Sequence, residues 1–175
     1  MTTQQRIDDS QRKGDFYELI RAPQLFKQLS WQYDPSTPNE NRFSKFDYRV
    51  TPKGKPTYRM EVKGPKQPKG LVLFEAIGIT GHNGWGLGAA DYVLQFLEDT
   101  VAITYRRKEM LAKAIEIGGP IPKSPERLPA GKFADPGVWQ GRSGTSRRGL
   151  PQQDCFILLT TDQVKGMYTK LTLNL

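Results

Sequence analysis

Asp47, Glu61 and Lys63 are the residues of this chain whose types and spacing point most directly to chemistry. Glu61, Val62 and Lys63 are consecutive, and on an extended segment the two-residue period puts Glu61 and Lys63 on one face and Val62 on the other. Asp47 lies on the preceding apolar–polar alternation, across the turn-forming stretch Thr51-Pro52-Lys53-Gly54-Lys55-Pro56. Two adjoining strands therefore bring two carboxylates and an ammonium together. Such a cluster has little value in an apolar core, where every charge needs a partner. It suits a divalent cation and a water that attacks a phosphate ester. That hydrolysis needs a nucleophilic water, stabilisation of charge growing on phosphate and neutralisation of the departing oxygen, and one or two Mg2+ ions supply much of this. Mg2+ takes oxygen ligands at about 2.0–2.1 Å and keeps several waters. Asp47 and Glu61 therefore suffice as the main protein ligands, with a backbone carbonyl near Val62 as a further one. Lys63 would orient the attacking water or stabilise developing negative charge, and the sequence leaves both roles open.

The positioning elements follow from hydrophobic pattern. Residues 10–22 predict a helix with Phe16, Leu19 and Ile20 as its apolar stripe and Asp15 and Glu18 on a neighbouring face. Pro23 is expected to end it; 24–31 continue as a short second helix, and 35–41 read as loop. Residues 43–50 predict a strand with Phe46, Tyr48 and Val50 on one face and Asp47 and Arg49 on the other. Residues 57–63 predict the next, with Tyr58, Met60 and Val62 opposite Arg59, Glu61 and Lys63. A basic loop at 64–70 leads to 71–79, which reads as a central strand interrupted by Glu75. A helix is expected over 85–97, a strand over 100–105 and a basic helix over 106–117 with Leu111, Ala114 and Ile115 inward. The stretch 118–151, rich in Pro, Gly, Ser and Arg, reads as a surface excursion or flexible loop. Strands at 156–160 and 168–173 flank one or two helical turns. The order predicts mixed α/β architecture, a mixed central β-sheet flanked by helices.

The 175 residues suit a single domain that needs no covalent staple. No apolar run approaches the roughly 18 residues of a membrane span, so no membrane partner is expected. The polar N-terminus has no secretory apolar core, so the expected location is the cytoplasm, or a host cell's cytoplasm, rather than outside the cell. One cysteine, Cys155, excludes an intrachain disulfide and a multi-cysteine zinc knot, and one histidine, His82, excludes a multi-histidine centre. Formal charge is +8, from 26 basic and 18 acidic residues. Between Arg42 and Lys69 nine basic residues face only Asp47 and Glu61, a local excess of seven. Most of the positive charge therefore surrounds the acidic pair and would draw a polyanion there. Charge alone does not separate DNA, RNA and anionic lipid.

Asp47, the Glu61-Val62-Lys63 triplet and the order helix–strand–strand–strand–helix–strand resemble the PD-(D/E)XK nuclease superfamily, over residues 10 to about 105. Phe46 stands where the proline of the family name would be, a departure with little physical weight because the metal needs the carboxylate. The resemblance implies a restriction-endonuclease-like fold and a metal-dependent endonuclease that hydrolyses DNA phosphodiester bonds. Asp47 and Glu61 then look like metal ligands, Lys63 like the active-site lysine, and Mg2+ like the cofactor, with Mn2+ as a substitute. Some members, including phage junction-resolving endonucleases, add a first-helix glutamate to the metal site; Glu18 is the first match and Asp15 the second. A phage-type, structure-selective enzyme acting on branched or otherwise distorted DNA is the attractive subtype. Members of this size that cut two strands often pair, so a homodimer is an expectation of the resemblance alone. The alternative from another class is a noncatalytic nucleic-acid-binding module that keeps the nuclease scaffold.

Other residues carry two readings each. Glu75 either joins the metal cluster from the third strand or meets a lysine or solvent. Asp91, in the stretch Ala90-Asp91-Tyr92-Val93, reads more readily as structural than as part of the site. His82 is a turn residue or a phosphate contact, and Cys155 a small core residue. Gly84-Trp85-Gly86-Leu87-Gly88 lacks the Lys-Ser/Thr of a phosphate-binding loop. Arg106, Arg107 and Lys108, and Arg142, Arg147 and Arg148, either neutralise phosphates or only solubilise; Trp139 either stacks on a base or anchors its loop.

Overall fold

Backbone pairing sorts the extended segments into two sheets. The computed structural model describes residues 12–78, 84–123, 135–145 and 151–174. Strands β1 (Gln32–Pro35), β2 (Tyr48–Thr51), β3 (Tyr58–Lys63), β5 (Tyr92–Phe96), β6 (Val101–Arg106) and β9 (Tyr168–Thr172) form a six-stranded sheet in the order β1-β2-β3-β5-β6-β9. The β3–β5 pair is parallel and the other neighbours are antiparallel, so the sheet is mixed. Strands β4 (Leu71–Ile77), β7 (Trp139–Thr145) and β8 (Pro151–Thr160) form a three-stranded antiparallel sheet, order β4-β8-β7. Helices α1 (Ala22–Gln28), α2 (Pro38–Ser44) and α3 (Arg107–Gly118) complete a mixed α/β architecture.

Alternation along the strands gives the large sheet two apolar faces. Tyr48, Val50, Met60, Val62, Leu94 and Phe96 bury one face against Ala22, Leu25 and Phe26 of α1. Val93, Ile103 and Tyr105 turn the other way, into a core with Val72 and Phe74 of β4, Ile157 and Leu159 of β8, and Met110 and Ala114 of α3. Glu61 and Lys63 belong to this second face, because their register partners on β5 are Val93 and Gln95.

The first helix runs on past Pro23. Residues 12–16 are α-helical, Tyr17–Arg21 form a π-helical turn, and α1 follows directly. The Ala22 N–H reaches back five residues to the Tyr17 carbonyl, and Pro23 stands in the first turn of α1, where its missing N–H costs little. The extra residue in the π turn rotates the helix face by roughly 100°. The expected stripe of Phe16, Leu19 and Ile20 is accordingly exposed (39, 60 and 46%), and Ala22, Leu25 and Phe26 are buried instead.

Other expectations are corrected. The 35–41 stretch is not simply loop: β1 ends at Pro35 and α2 begins at Pro38, with a Thr37–Glu40 capping box and Pro38 in the first turn. Residues 43 and 44 close α2, so the strand expected over 43–50 starts only at Tyr48. β4 is an outer strand of the small sheet, not a central strand of the main one.

The helix expected over 85–97 is a 3-10 turn at Trp85–Leu87 followed by β5. Tyr92–Phe96 is rich in aromatic and branched residues, sits between β3 and β6, and buries four of its five side chains, so burial on both faces imitated a helical stripe. Glycines before it serve close approach: a Cβ on Gly86 would lie 2.6 Å from the Phe74 ring. Part of the 118–151 excursion is strand β7, and Trp139 is a core residue whose Nε1 donates to the Gly119 carbonyl at 2.9 Å. Ile115 is 39% exposed; the inward residues of α3 are Arg107, Met110 and Ala114.

Candidate functional site

Asp47 sits on the link from α2 to β2, one residue before the strand begins. Its N–H donates to the Met60 carbonyl at 2.9 Å, and its carbonyl accepts from Ser36 N at 2.7 Å. The β2–β3 register, Tyr48 against Met60, carries on one step to set Asp47 opposite Glu61. Both Asp47 oxygens are engaged: Oδ1 accepts from Asn41 Nδ2 and Oδ2 from the Val62 backbone N–H, each at 2.7 Å. Asn41 is held in turn because α2 is locked at its start. Glu40 closes the capping box with Thr37 and pairs with Arg49 of β2. The Arg49 hydrogen bond, with the Thr37 contacts, lowers the Glu40 carboxyl to about 2.

Glu61 is only 4% exposed. Its Oε1 pairs with Lys63 Nζ, and its Oε2 is buried without a hydrogen-bond partner. Burial raises the Glu61 pKa, Lys63 opposes the rise, and Asp47 and Glu75 add to it. Lys63 keeps a quarter of its side chain exposed. Burial works against its charge, but Glu61 and then Asp47 outweigh that and raise its pKa, so it is a cation throughout the neutral range.

Glu18 comes to the same place from the π turn. Its backbone carbonyl accepts the Tyr48 hydroxyl at 2.8 Å. Burial, then Asp47, lifts its carboxyl to about 7; Lys63 pulls down, and Glu61 and the exposed Asp15 push up. The close approach of this turn depends on Gly64, where a Cβ would stand 2.8 Å from the Tyr17 ring. The same carboxylates reach Tyr48: burial, then Glu18 and Asp47, raise its phenol to about 12.

Asp47, Glu61, Lys63 and Glu18 are thus electrostatically one cluster. Glu75 projects from β4 near enough to act on Glu61 and Lys63. Among the described residues no group of three or more His, Cys, Asp or Glu side chains is disposed to hold a metal ion. Lys63 occupies one Glu61 oxygen, and two N–H donors occupy Asp47. The unpartnered Glu61 Oε2 is nonetheless the kind of atom a cation satisfies, and Mg2+ is usually bound through one or two carboxylates plus waters. Asp47 and Glu61 fit that requirement.

Other candidates have structural work. Asp91 accepts from Arg59 N at 2.9 Å and pairs with its guanidinium at 3.0 Å, clasping the start of β5 to β3; these hydrogen bonds lower its pKa. Arg107 is buried and donates to the carbonyls of Ala90 and Gly86, both at 2.8 Å, so it is no phosphate contact. Arg106 pairs with Glu109. Cys155 is fully buried on β8, and burial pushes its thiol up to about 11. His82, Arg147 and Arg148 lie outside the described residues, as does the Arg142 side chain.

Sequence reasoning missed Asn41, although Thr37-Pro38-Asn39-Glu40 carries the signature of a helix start that would have placed it. It also missed the buried row beside Lys63, where Gln95 lies 3.1 Å from Gln67 and 3.2 Å from Tyr105, with Gln67 Nε2 donating to the Phe96 carbonyl at 3.3 Å. No signal in the sequence singles out those glutamines. Comparisons with known proteins find no counterpart: no protein-family model, no curated protein and no solved structure matches the chain.

Proposed function

We propose that the protein is a metal-dependent endonuclease of the PD-(D/E)XK type that hydrolyses DNA phosphodiester bonds, with Asp47 and Glu61 as metal ligands and Lys63 as the active-site lysine. The observation that carries this reading is the juxtaposition of two buried carboxylates, Asp47 just before β2 and Glu61 on β3, one with a solvent-free oxygen lacking any donor, beside the Lys63 ammonium. A structural ion pair alone would leave that oxygen unexplained, since a buried acceptor without a partner costs about 1–3 kcal/mol. A mixed sheet supports the reading, while β4 departs into the second sheet and β5 stands where the motif's element order calls for a helix.

Mg2+, or Mn2+ in its place, would supply a Lewis acid and a water acidic enough to attack at neutral pH. The chain's own residues do the rest. Asn41 and the Val62 N–H fix the Asp47 carboxylate, so it is oriented before substrate arrives. Lys63, protonated and partly exposed, faces the scissile phosphate and stabilises the charge growing there; its raised pKa disfavours a role as base. Glu18, with a carboxyl near 7, holds or releases a proton at the edge of the site. The basic residues from Arg42 to Lys69 attract the phosphate backbone.

The test is cleavage of supercoiled, linear, single-stranded and branched DNA with Mg2+ and Mn2+. Glu61→Ala is expected to abolish turnover while folding and DNA binding persist. Absence of metal-dependent turnover by the wild type on all four substrates, or full activity in the variant, would end the proposal. Binding without turnover is what a noncatalytic module predicts.

A further inference from the structure

A cavity of about 470 Å³ opens between the start of the first helix and the loop after β3. Its walls include Phe16 and Tyr17 from the helix and Gly64 and Lys66 from the loop, and Arg12 and Lys13 line it as well. Tyr17 precedes Glu18 and Gly64 follows Lys63, so both chain segments that carry site residues run straight on into the cavity wall. Among the described residues no acidic side chain lines it.

We propose that this cavity receives one nucleotide of an unpaired DNA strand next to the reactive phosphate, its base stacked on Phe16 and its phosphates near Arg12, Lys13 and Lys66. This rests on the nuclease reading above and specifies its substrate. The volume is that of a small-molecule site, enough for one nucleotide and too small for a duplex. Bases inside a duplex have both faces covered, so only an unpaired, frayed or branched strand offers a ring to the wall.

Phe16 is 39% exposed and pre-positioned. Its ring stands at 85° to Tyr17, centroids 5.3 Å apart, and the Arg21 guanidinium lies 4.8 Å from its centroid. An aromatic face of this kind is the usual sequence-tolerant platform for single strands, and cations along the wall neutralise the backbone. The opposite wall is held rigid. Gln67 is buried, accepts from Lys66 N at 3.0 Å and donates to the Phe96 carbonyl. The loop therefore keeps its place without a ligand.

The experiment measures binding in EDTA by fluorescence anisotropy, using the full chain, a labelled oligodeoxythymidine and a blunt duplex of equal length. Phe16→Ala is expected to weaken oligodeoxythymidine binding about five- to a hundredfold and to leave the duplex within about twofold. Phe16→Trp should restore it. Lys66→Gln should weaken binding and reduce the salt slope by about one. Photo-cross-linking of 5-iododeoxyuridine in the oligonucleotide should label the peptide bearing Phe16, a readout that does not depend on the stability of any variant. Equal loss on both probes, no loss on either, or cross-links confined to other peptides would overturn the inference. Because no metal is present, the two readings fail separately. Phe16-dependent binding by a protein that cuts nothing would sink the nuclease and keep the cavity. Metal-dependent cleavage indifferent to Phe16 on single-stranded and branched DNA would do the reverse.

Discussion

Glu18→Gln should stabilise the metal-free protein at alkaline pH and leave it unchanged in acid. The substitution removes one negative charge from among Asp47, Glu61 and Asp15 and keeps the side chain's shape. The hydrogen bond it receives from the Tyr48 hydroxyl uses its backbone carbonyl, which the change does not touch. Burial, then Asp47, raises the carboxyl from 4.5 to about 7. At about 1.4 kcal/mol per pKa unit that shift corresponds to about 3 kcal/mol. Glu18 is half-buried, and solvent screening cuts the value to on the order of 1 kcal/mol. The sign follows from proton counts. Between about pH 4.5 and 7 the folded chain binds more protons at this site than the unfolded chain, so stability falls as pH rises through that window. Below it both states are protonated, and above it both are ionised. Urea denaturation in EDTA should show wild type and Glu18→Gln coinciding near pH 4 and separating above about pH 7, with the variant the more stable. Read by thermal unfolding in the same buffers, the separation for a chain of this size is roughly 2–4 °C in Tm. Added salt should shrink it. Parallel pH profiles, or a variant less stable at alkaline pH, would refute the placement of Glu18 beside the other carboxylates.

Three further outcomes follow from the packing. Gly64→Ala puts a Cβ 2.8 Å from the Tyr17 ring and should cost about 1–3 kcal/mol in urea denaturation, with a larger fractional loss of cleavage because Glu18 moves with Tyr17. Arg107→Ala removes the donors to the Ala90 and Gly86 carbonyls and should cost on the order of 3 kcal/mol, while Arg107→Lys recovers only part, since an ammonium does not reproduce the guanidinium fork. DNA affinity per folded molecule should stay unchanged in both Arg107 variants. Thr37→Ala breaks the capping box and should cost about 1 kcal/mol, read in the same assay.

The β2–β3 hairpin was legible because two local signals agreed, the two-residue alternation and a turn rich in Pro and Gly. That was enough to put Asp47, Glu61 and Lys63 on one face. Strands β6 and β9 and helix α3 were legible within a residue or so for the same reason, each having one clear period. β5 was not, because a strand covered on both faces has no alternation to read, and Val93, Leu94 and Leu97 happen to fit helical spacing. Nor was the split into two sheets. β4 is as apolar as a central strand because its two faces meet different clusters, and only long-range pairing with β8 decides its sheet. The exposure of Phe16, Leu19 and Ile20 turns on a single π turn, a register shift that leaves no mark in composition.

The site occupies the place where the β2–β3 ladder gives out. Past the Tyr48–Met60 pair, the Val62 N–H is taken by the Asp47 side chain. A carboxylate at the end of a ladder is thereby held by a backbone donor while its remaining lone pairs stay available. On the far side of β3, pairing continues unbroken with β5 from Met60 to Lys63, so Glu61 cannot move away from Asp47 without breaking parallel hydrogen bonds. The two acids are therefore pinned by different strands, α2 steadies one through Asn41, and Lys63 neutralises the other. Removing the lysine would take away the cation paired with Glu61 and leave Asp47, Glu18 and Glu75 acting on the cluster, which is a more repulsive state than the fold tolerates cheaply. On the proposed reading, the same repulsion is what a divalent cation would relieve. Whatever neutralises Asp47 and Glu61 together relieves a strain that the neighbouring strands do not let the side chains escape.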